Sequence, residues 1–357
     1  MAFLGVYVFT GFGAESFGFE ETASTYYGET NLADGWIYAS NIDGDFVNKV
    51  NDLSSTKDSE RKLIVNSIAD FDNDPDITLH FLEDNDISKF YLVKGEKFNL
   101  SDGEGVWLDI RFAEAKNLTV GDNISFTFER MTVEKEIKGL GYSPEHLYQT
   151  SDSSMIPDYG KMGFAYLSYK AFPVSDVPYN VLLVKYDGNS SNYEKQLDDD
   201  LTRDYSSFLP RAQHPSFAEF QDETEQHQMM TDVIPVIFII ISMLTLLTTM
   251  TRIINNQRMQ IGVLKALGFK NRTIMFHYIS YGFWMVLAGS ILGLILGPLT
   301  LPPIMFEEMA DLYSIPYWLT GFNISFIVVT LLMVVLAALI SYFACRNIVN
   351  ESPSSAI

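Results

Sequence analysis

Disulfide chemistry is absent from this sequence, whose 357 residues hold a single cysteine, Cys345. Any folded domain it contains must hold together through its core. A nucleotide-binding loop is also missing: Gly160-Lys161 is followed by Met162 and lacks the glycine spacing that cradles phosphate. The chain is therefore not expected to bind ATP by itself. The five histidines, His80, His146, His214, His227 and His277, form no H-x-H or H-E-x-x-H pair, which argues against zinc. No G-x-S-x-G nucleophile elbow occurs either. Asp72, Asp74, Asp76 and Glu83 fall at positions 1, 3, 5 and 12 of a calcium loop, but Pro75 and Ile77 stand at positions 4 and 6, where the sharp turn needs glycine. A solvated acidic turn is the better reading. No catalytic residue, metal or cofactor is expected, and an enzyme ranks third among the function classes.

Positive charge is scarce too. Lys and Arg number 24 against 45 Asp and Glu, for a net charge of −21, and nearly all the acidic excess lies before Asp232. That segment should be soluble and a poor partner for nucleic acid or anionic lipid. Long uncharged runs take over after it, at 233–251, 278–301 and 317–345, and each meets the ~20-residue need of a spanning helix. Residues 1–14 are apolar but would rise only ~21 Å as a helix, short of the ~30 Å hydrocarbon thickness. With no basic residue before Lys49 they make a poor signal peptide. They read as the outer half of a first span whose beginning is missing.

Between the second and third runs, the loop 252–276 carries Arg252, Arg258, Lys265, Lys270 and Arg272 with no acid, whereas 302–316 carries Glu307, Glu308 and Asp311 with no base. Basic loops stay in the cytoplasm. The loop 252–276 and the tail 347–357 are thus expected inside, and residues 15–230 outside.

The acidic segment alternates turn residues with short apolar stretches. Strands are expected at 32–40, 77–83, 89–93, 106–110, 124–129, 164–169 and 181–185, and helices at 43–53 and 192–201. This is an α+β pattern, mostly antiparallel. Residues 12–27 should continue the first span outward as helix. Phe217 to Met230 is polar and helix-prone, so the second span should reach out of the membrane as a stalk, with Pro235 as a point of kinking. Gly289, Gly293 and Gly297 recur every four residues along the third span, a spacing that favours a close helix-packing face. Asp232 is expected at headgroup depth at the end of a helix.

Inside the basic loop, Met259, Ile261, Val263, Leu264 and Leu267 are apolar at helical spacing and Gly268 follows as a C-cap, a pattern that by itself fits equally a basic amphipathic linker lying at the lipid surface. Arg258, Ile261, Gly262, Leu264, Lys265, Ala266, Leu267 and Gly268 resemble the loop of FtsX-like ABC transporter permeases, the group that includes MacB, with its pattern close to R-x-x-I-G-x-L-[KR]-A-L-G. FYLVKGEKF (90–98) followed by LTVGDNISF (118–126) resembles the extracytoplasmic core domain of MacB-like members.

The resemblance implies four spans, the first truncated, with an α+β extracytoplasmic domain inserted between spans one and two. It implies that Gln260 to Gly268 form the coupling helix that docks on a cytoplasmic ABC ATPase subunit, with Ile261, Leu264 and Leu267 in the contact and Lys265 pairing charge. Further implied partners are membrane lipid, a second permease half or a homodimer partner, and an extracellular protein. The chain would then be the permease subunit of a transporter, or a non-transporting relay acting on an outside partner such as a cell-wall hydrolase. A third reading is an anchored binding module with no ATPase. The tail NESPSSAI resembles the point at which Gram-positive members go on to a second set of spans.

Overall fold

The computed structural model describes residues 1–150, 156–174, 176–201 and 204–350. The last residues of the expected tail, 351–357, lie outside that set. In chain order the elements begin with α1 (Ala2–Glu29), β1 (Gly35–Tyr38), α2 (Gly44–Asn51), β2 (Thr56–Ala69), β3 (Asp76–Leu82), β4 (Tyr91–Gly95), β5 (Gly105–Asp109) and α3 (Ile110–Lys116). There follow β6 (Asn123–Phe128), β7 (Met131–Tyr142), β8 (Met162–Ser168), β9 (Val181–Tyr186), α4 (Ser190–Asp200) and β10 (Ser207–Pro210). The chain ends in α5 (Pro215–Asn256), α6 (Arg258–Ala266), α7 (Asn271–Leu312) and α8 (Ile324–Asn350). Two compact units result, one of residues 1–22, 223–308 and 318–357, the other of 23–222 and 309–317.

The α/β unit is built on one ten-stranded sheet of order β10-β1-β9-β2-β3-β8-β5-β7-β4, with β6 paired to β2 and β7. The ladders are antiparallel except β3 with β8 and β5 with β7. Side chains alternate across a strand, and here both faces are covered, which is why β9 reads VLLV without a polar break. Leu182 and Val184 enter the large core with α2 and α4, whereas Val181 and Leu183 join Trp36 on the other side. Asp43 caps α2 through Phe46 N at 2.8 Å. Asp109 caps α3 through Arg111 N at 3.0 Å.

Three strands depart from expectation. β2, β7 and β10 carry no run of alternating apolar residues long enough to announce them. β2 buries Glu60 and Lys62 among its inward positions, and β7 buries Lys135 and places Gly139 and Gly141 against Trp107 and Tyr91. Charge and glycine at core positions hid strands whose burial is nonetheless periodic.

Among the described residues four helices are long and apolar enough to cross a membrane: α1, α5, α7 and α8. The apolar window of α1 is 61% buried, against 17%, 22% and 33% for the other three, so α1 is the innermost. α5 is one helix of 42 residues, ~63 Å long and about twice the hydrocarbon thickness. It continues through Pro235, as α7 does through Pro298, Pro302 and Pro303. The segment 302–316, expected as the outer connection between spans three and four, is helical as far as Leu312. In apolar surroundings no water competes for the carbonyls that a proline frees, so the helix persists beyond it.

Candidate functional site

The basic loop folds as expected into a short helix with a defined end. Gly268 takes φ +90, its N–H reaches Lys265 O at 2.9 Å, and Phe269 N reaches Leu264 O at 3.1 Å. Together these bonds make a Schellman termination, which requires a left-handed residue at that position.

The two faces of α6 differ sharply. Ile261 is fully buried with Ile254, Ile274, Tyr278, Cys345 and Val349, and Leu264 packs against the same cluster. Gly262 is buried as well. Tyr278 donates to Gln257 Oε1 at 2.7 Å and steadies the approach to the helix. Facing outward are Met259, Val263 and Leu267, 64%, 48% and 71% exposed, followed by Phe269 at 51%. Arg258, Gln260, Ala266 and Lys270 are exposed and Lys265 is half-buried. Ile261 and Leu264 were expected to touch a partner, and the structure turns both inward. Of that trio only Leu267 is available; Val263 and Met259, one and two turns back on the same stripe, are the other exposed apolar side chains there. Spacing alone could not tell a helix's two apolar stripes apart.

The glycine stripe of α7 lies against α1. A methyl group on Gly293 would come within 2.8 Å of Phe3 O, and one on Gly297 within 2.3 Å of Thr10 Oγ1. One on Gly289 would come within 3.1 Å of Phe3 N. Thr10 donates to Gly293 O at 3.1 Å, and Tyr7 Oη is 2.8 Å from Thr300 Oγ1. Close approach lets side-chain hydroxyls hydrogen-bond across the helix pair where lipid offers no hydrophobic drive.

Inside the α/β unit, Lys62 Nζ donates to Glu145 Oε2 at 2.6 Å with both side chains buried. Trp36 Nε1 donates to Glu145 Oε1 at 3.1 Å. Burial opposes the Glu145 charge, but Lys62 and the neighbouring histidines hold its carboxyl well below the usual range. Beside it His80 and His146 meet through their Nε2 atoms at 2.8 Å. Burial pushes both imidazoles below the ordinary histidine value, so the pair shares one hydrogen bond as neutral rings. Sequence spacing gave no sign of this pair, because β3 and the segment after β7 meet only in the folded sheet.

Among the described residues one carboxylate group, Glu60, Asp84 and Asp86, has the proximity to hold a metal ion. Glu60 Oε1 accepts from Asp86 N at 2.6 Å and Ile87 N at 2.9 Å, and burial raises its pKa to about 7. That is the arrangement of a turn cap. The acidic stretch around Asp74 is a turn, with Asp74 at φ 44.

Residues 233–353 match the family model for the FtsX-like permease C-terminal domain. Among solved structures, the chain is similar to the extracellular domain of the noncanonic ABC-type transporter YknZ from Gram-positive bacteria, with 13% identity, a TM-score of 0.33, and coverage of 50% of this chain and 98% of that one. It is also similar to the periplasmic region of MacB from Actinobacillus actinomycetemcomitans, with 15% identity, a TM-score of 0.32, and coverage of 54% and 92%. No curated protein matches the chain. Residues 233–353 thus resemble an FtsX-like permease C-terminal domain, and they belong to a chain with four candidate membrane helices and an α/β domain between the first and the second.

Proposed function

We propose that the chain is the permease subunit of an ABC transporter and that a separate cytoplasmic ATPase drives it through α6. The observation that carries this reading is the outward stripe of Met259, Val263 and Leu267, exposed apolar side chains on a capped helix within a segment of basic residues. A soluble helix end with this much exposed apolar surface fits a protein-docking face. The absence of acid from 252–276 supports a cytoplasmic position for it, and an external one for the α/β domain. ATP hydrolysis would then move that domain, for export or extraction of a substrate.

The stripe and the inward face separate experimentally. Val263→Asp with Leu267→Asp should abolish co-purification of the ATPase subunit and leave the fold intact, whereas Leu264→Asp should destabilise the permease itself. Retention of the ATPase by the Val263/Leu267 variant would remove the assignment.

A second reading, a relay that transports nothing and acts on an extracellular partner, is favoured by the position of α1. α1 is the most enclosed of the four candidate spans, and its backbone lies against Gly293 and Gly297. Reconstituted vesicles containing permease and ATPase distinguish the two by whether ATP hydrolysis moves solute.

A further inference from the structure

Glu15 of α1 is a carboxylate that neither helix packing nor ATPase docking requires. Its side chain is fully buried and its Oε1 lies 2.5 Å from His227 Nδ1 as a close ion pair, in which neither Glu15 oxygen nor Nδ1 makes a hydrogen bond of good geometry. The other ring nitrogen, His227 Nε2, is 3.0 Å from Glu223 Oε1. A neutral imidazole carries only one N–H, so it can satisfy one of these carboxylates and must turn a lone pair toward the other. Only the imidazolium donates to both.

The surroundings favour that charged ring. Phe19 of α1 stacks on the imidazole with centroids 4.9 Å apart and planes 16° from parallel. Trp318 lies against Phe19 at 5.3 Å, and Phe306 of α7 stacks on Trp318 at 5.1 Å. A cation over an aromatic face gains electrostatically when desolvated. Of the charged groups facing the ring, α1 supplies Glu15 and α5 supplies Glu223; Glu20 sits beside them, accepting from Gln228 Nε2 at 3.3 Å. The segment before α8 and α7 supply the two rings Trp318 and Phe306. The two charges that act on the imidazole, Glu15 and Glu223, are both negative. Burial works against its protonation, and the hydrogen bonds and charges of Glu15 and Glu223 outweigh burial, so the ring keeps its proton to higher pH than free histidine.

We propose that Glu15, His227 and Glu223 form a proton-operated latch that clamps α1 to α5 while the imidazole is doubly protonated and releases the pair when the ring gives one proton to solvent. His227 precedes the apolar run that begins at Val233, so the proton need not cross hydrocarbon. The folded-state pKa is raised, so the clamp contributes fully below about pH 6.5, the unperturbed histidine value, and is lost as pH rises through the folded-state value. This inference rests on the helical unit alone and stands apart from the ATPase reading.

The test uses the full chain in lipid nanodiscs with Cys345→Ala, spin labels on Glu21→Cys and Met230→Cys, and carbon-13-labelled histidine. His227 is assigned by the resonance that His227→Gln removes. The expected result is a His227 titration above that of free histidine, with the label-to-label distance lengthening and broadening over the same pH range. Glu15→Gln should move both transitions to lower pH together. A ring already neutral at about pH 6, a ring still charged at about pH 9, or an unchanged distance across its titration would overturn the latch, as would a Glu15→Gln protein opening at the wild-type pH. If Glu15→Gln does not fold, the wild-type titration and distance decide by themselves.

Discussion

Buried charge is what the individual residues of this protein turn on. Asp109 is fully buried, caps α3 through one oxygen and leaves Oδ2 without a partner. Burial raises its pKa to about 7, against the opposing pull of Arg111. A carboxyl raised in the folded state contributes stability below its unfolded pKa of about 3.9 and loses that contribution as pH rises through the folded value. Asp109→Asn keeps the cap acceptor and removes the charge. The α/β unit of this variant should resist pulse proteolysis better than wild type at about pH 8 and equally at about pH 5; equal resistance at both would show that the carboxylate costs nothing. Residues of this kind also limited what was legible. Asp43 before α2 and Gly268 after α6 do their work locally, and both caps could be read directly. Glu60, Lys62 and Lys135 occupy core positions that only their partners in the fold justify, so β2 and β7 lack the apolar alternation that marks a strand in a sequence.

Among the elements, period and length announce the helices, whereas the face that α6 turns inward and the point at which α7 stops are not announced. The reach of α5 from polar stalk into span was legible because its polar and apolar parts share one uninterrupted helical composition. The inward turn of Ile261 and Leu264 was not, since it depends on α8 delivering Cys345 and Val349 beneath α6. Pro298, Pro302 and Pro303 leave α7 unbroken. The glycine stripe of α7 allows a direct measurement. Gly297→Leu would force α7 away from Tyr7, Thr10 and Gly11, whose atoms lie 2.3 to 2.9 Å from the first added carbon. The variant should lower the thermal midpoint of the detergent-solubilised protein by several degrees or more, with Gly289→Ala far milder because its nearest atom is 3.1 Å away. Equal midpoints for the two would mean that the helices part at little cost.

For the whole molecule, the charge distribution predicts sidedness. In a Cys345→Ser background, a membrane-impermeant thiol reagent applied to intact cells should label Asp199→Cys on α4 and spare Lys270→Cys until the membrane is opened. Labelling of both from outside would invert the proposed orientation. The general architecture, an acidic domain between the first and second of four spans, was readable from charge and hydropathy alone. The single continuous sheet was not, because its order joins β1 to β9 and β2 to β9 across more than a hundred residues. One consequence concerns how the protein is made. α1 has the lowest hydropathy of the four candidate spans, 1.2 against 2.5, 1.9 and 2.9, yet is the most enclosed. The α7 glycines that sheathe it emerge from the ribosome only after the entire acidic domain. During synthesis the first helix must wait, weakly held by lipid, for a neighbour not yet translated, and the bundle closes around it last.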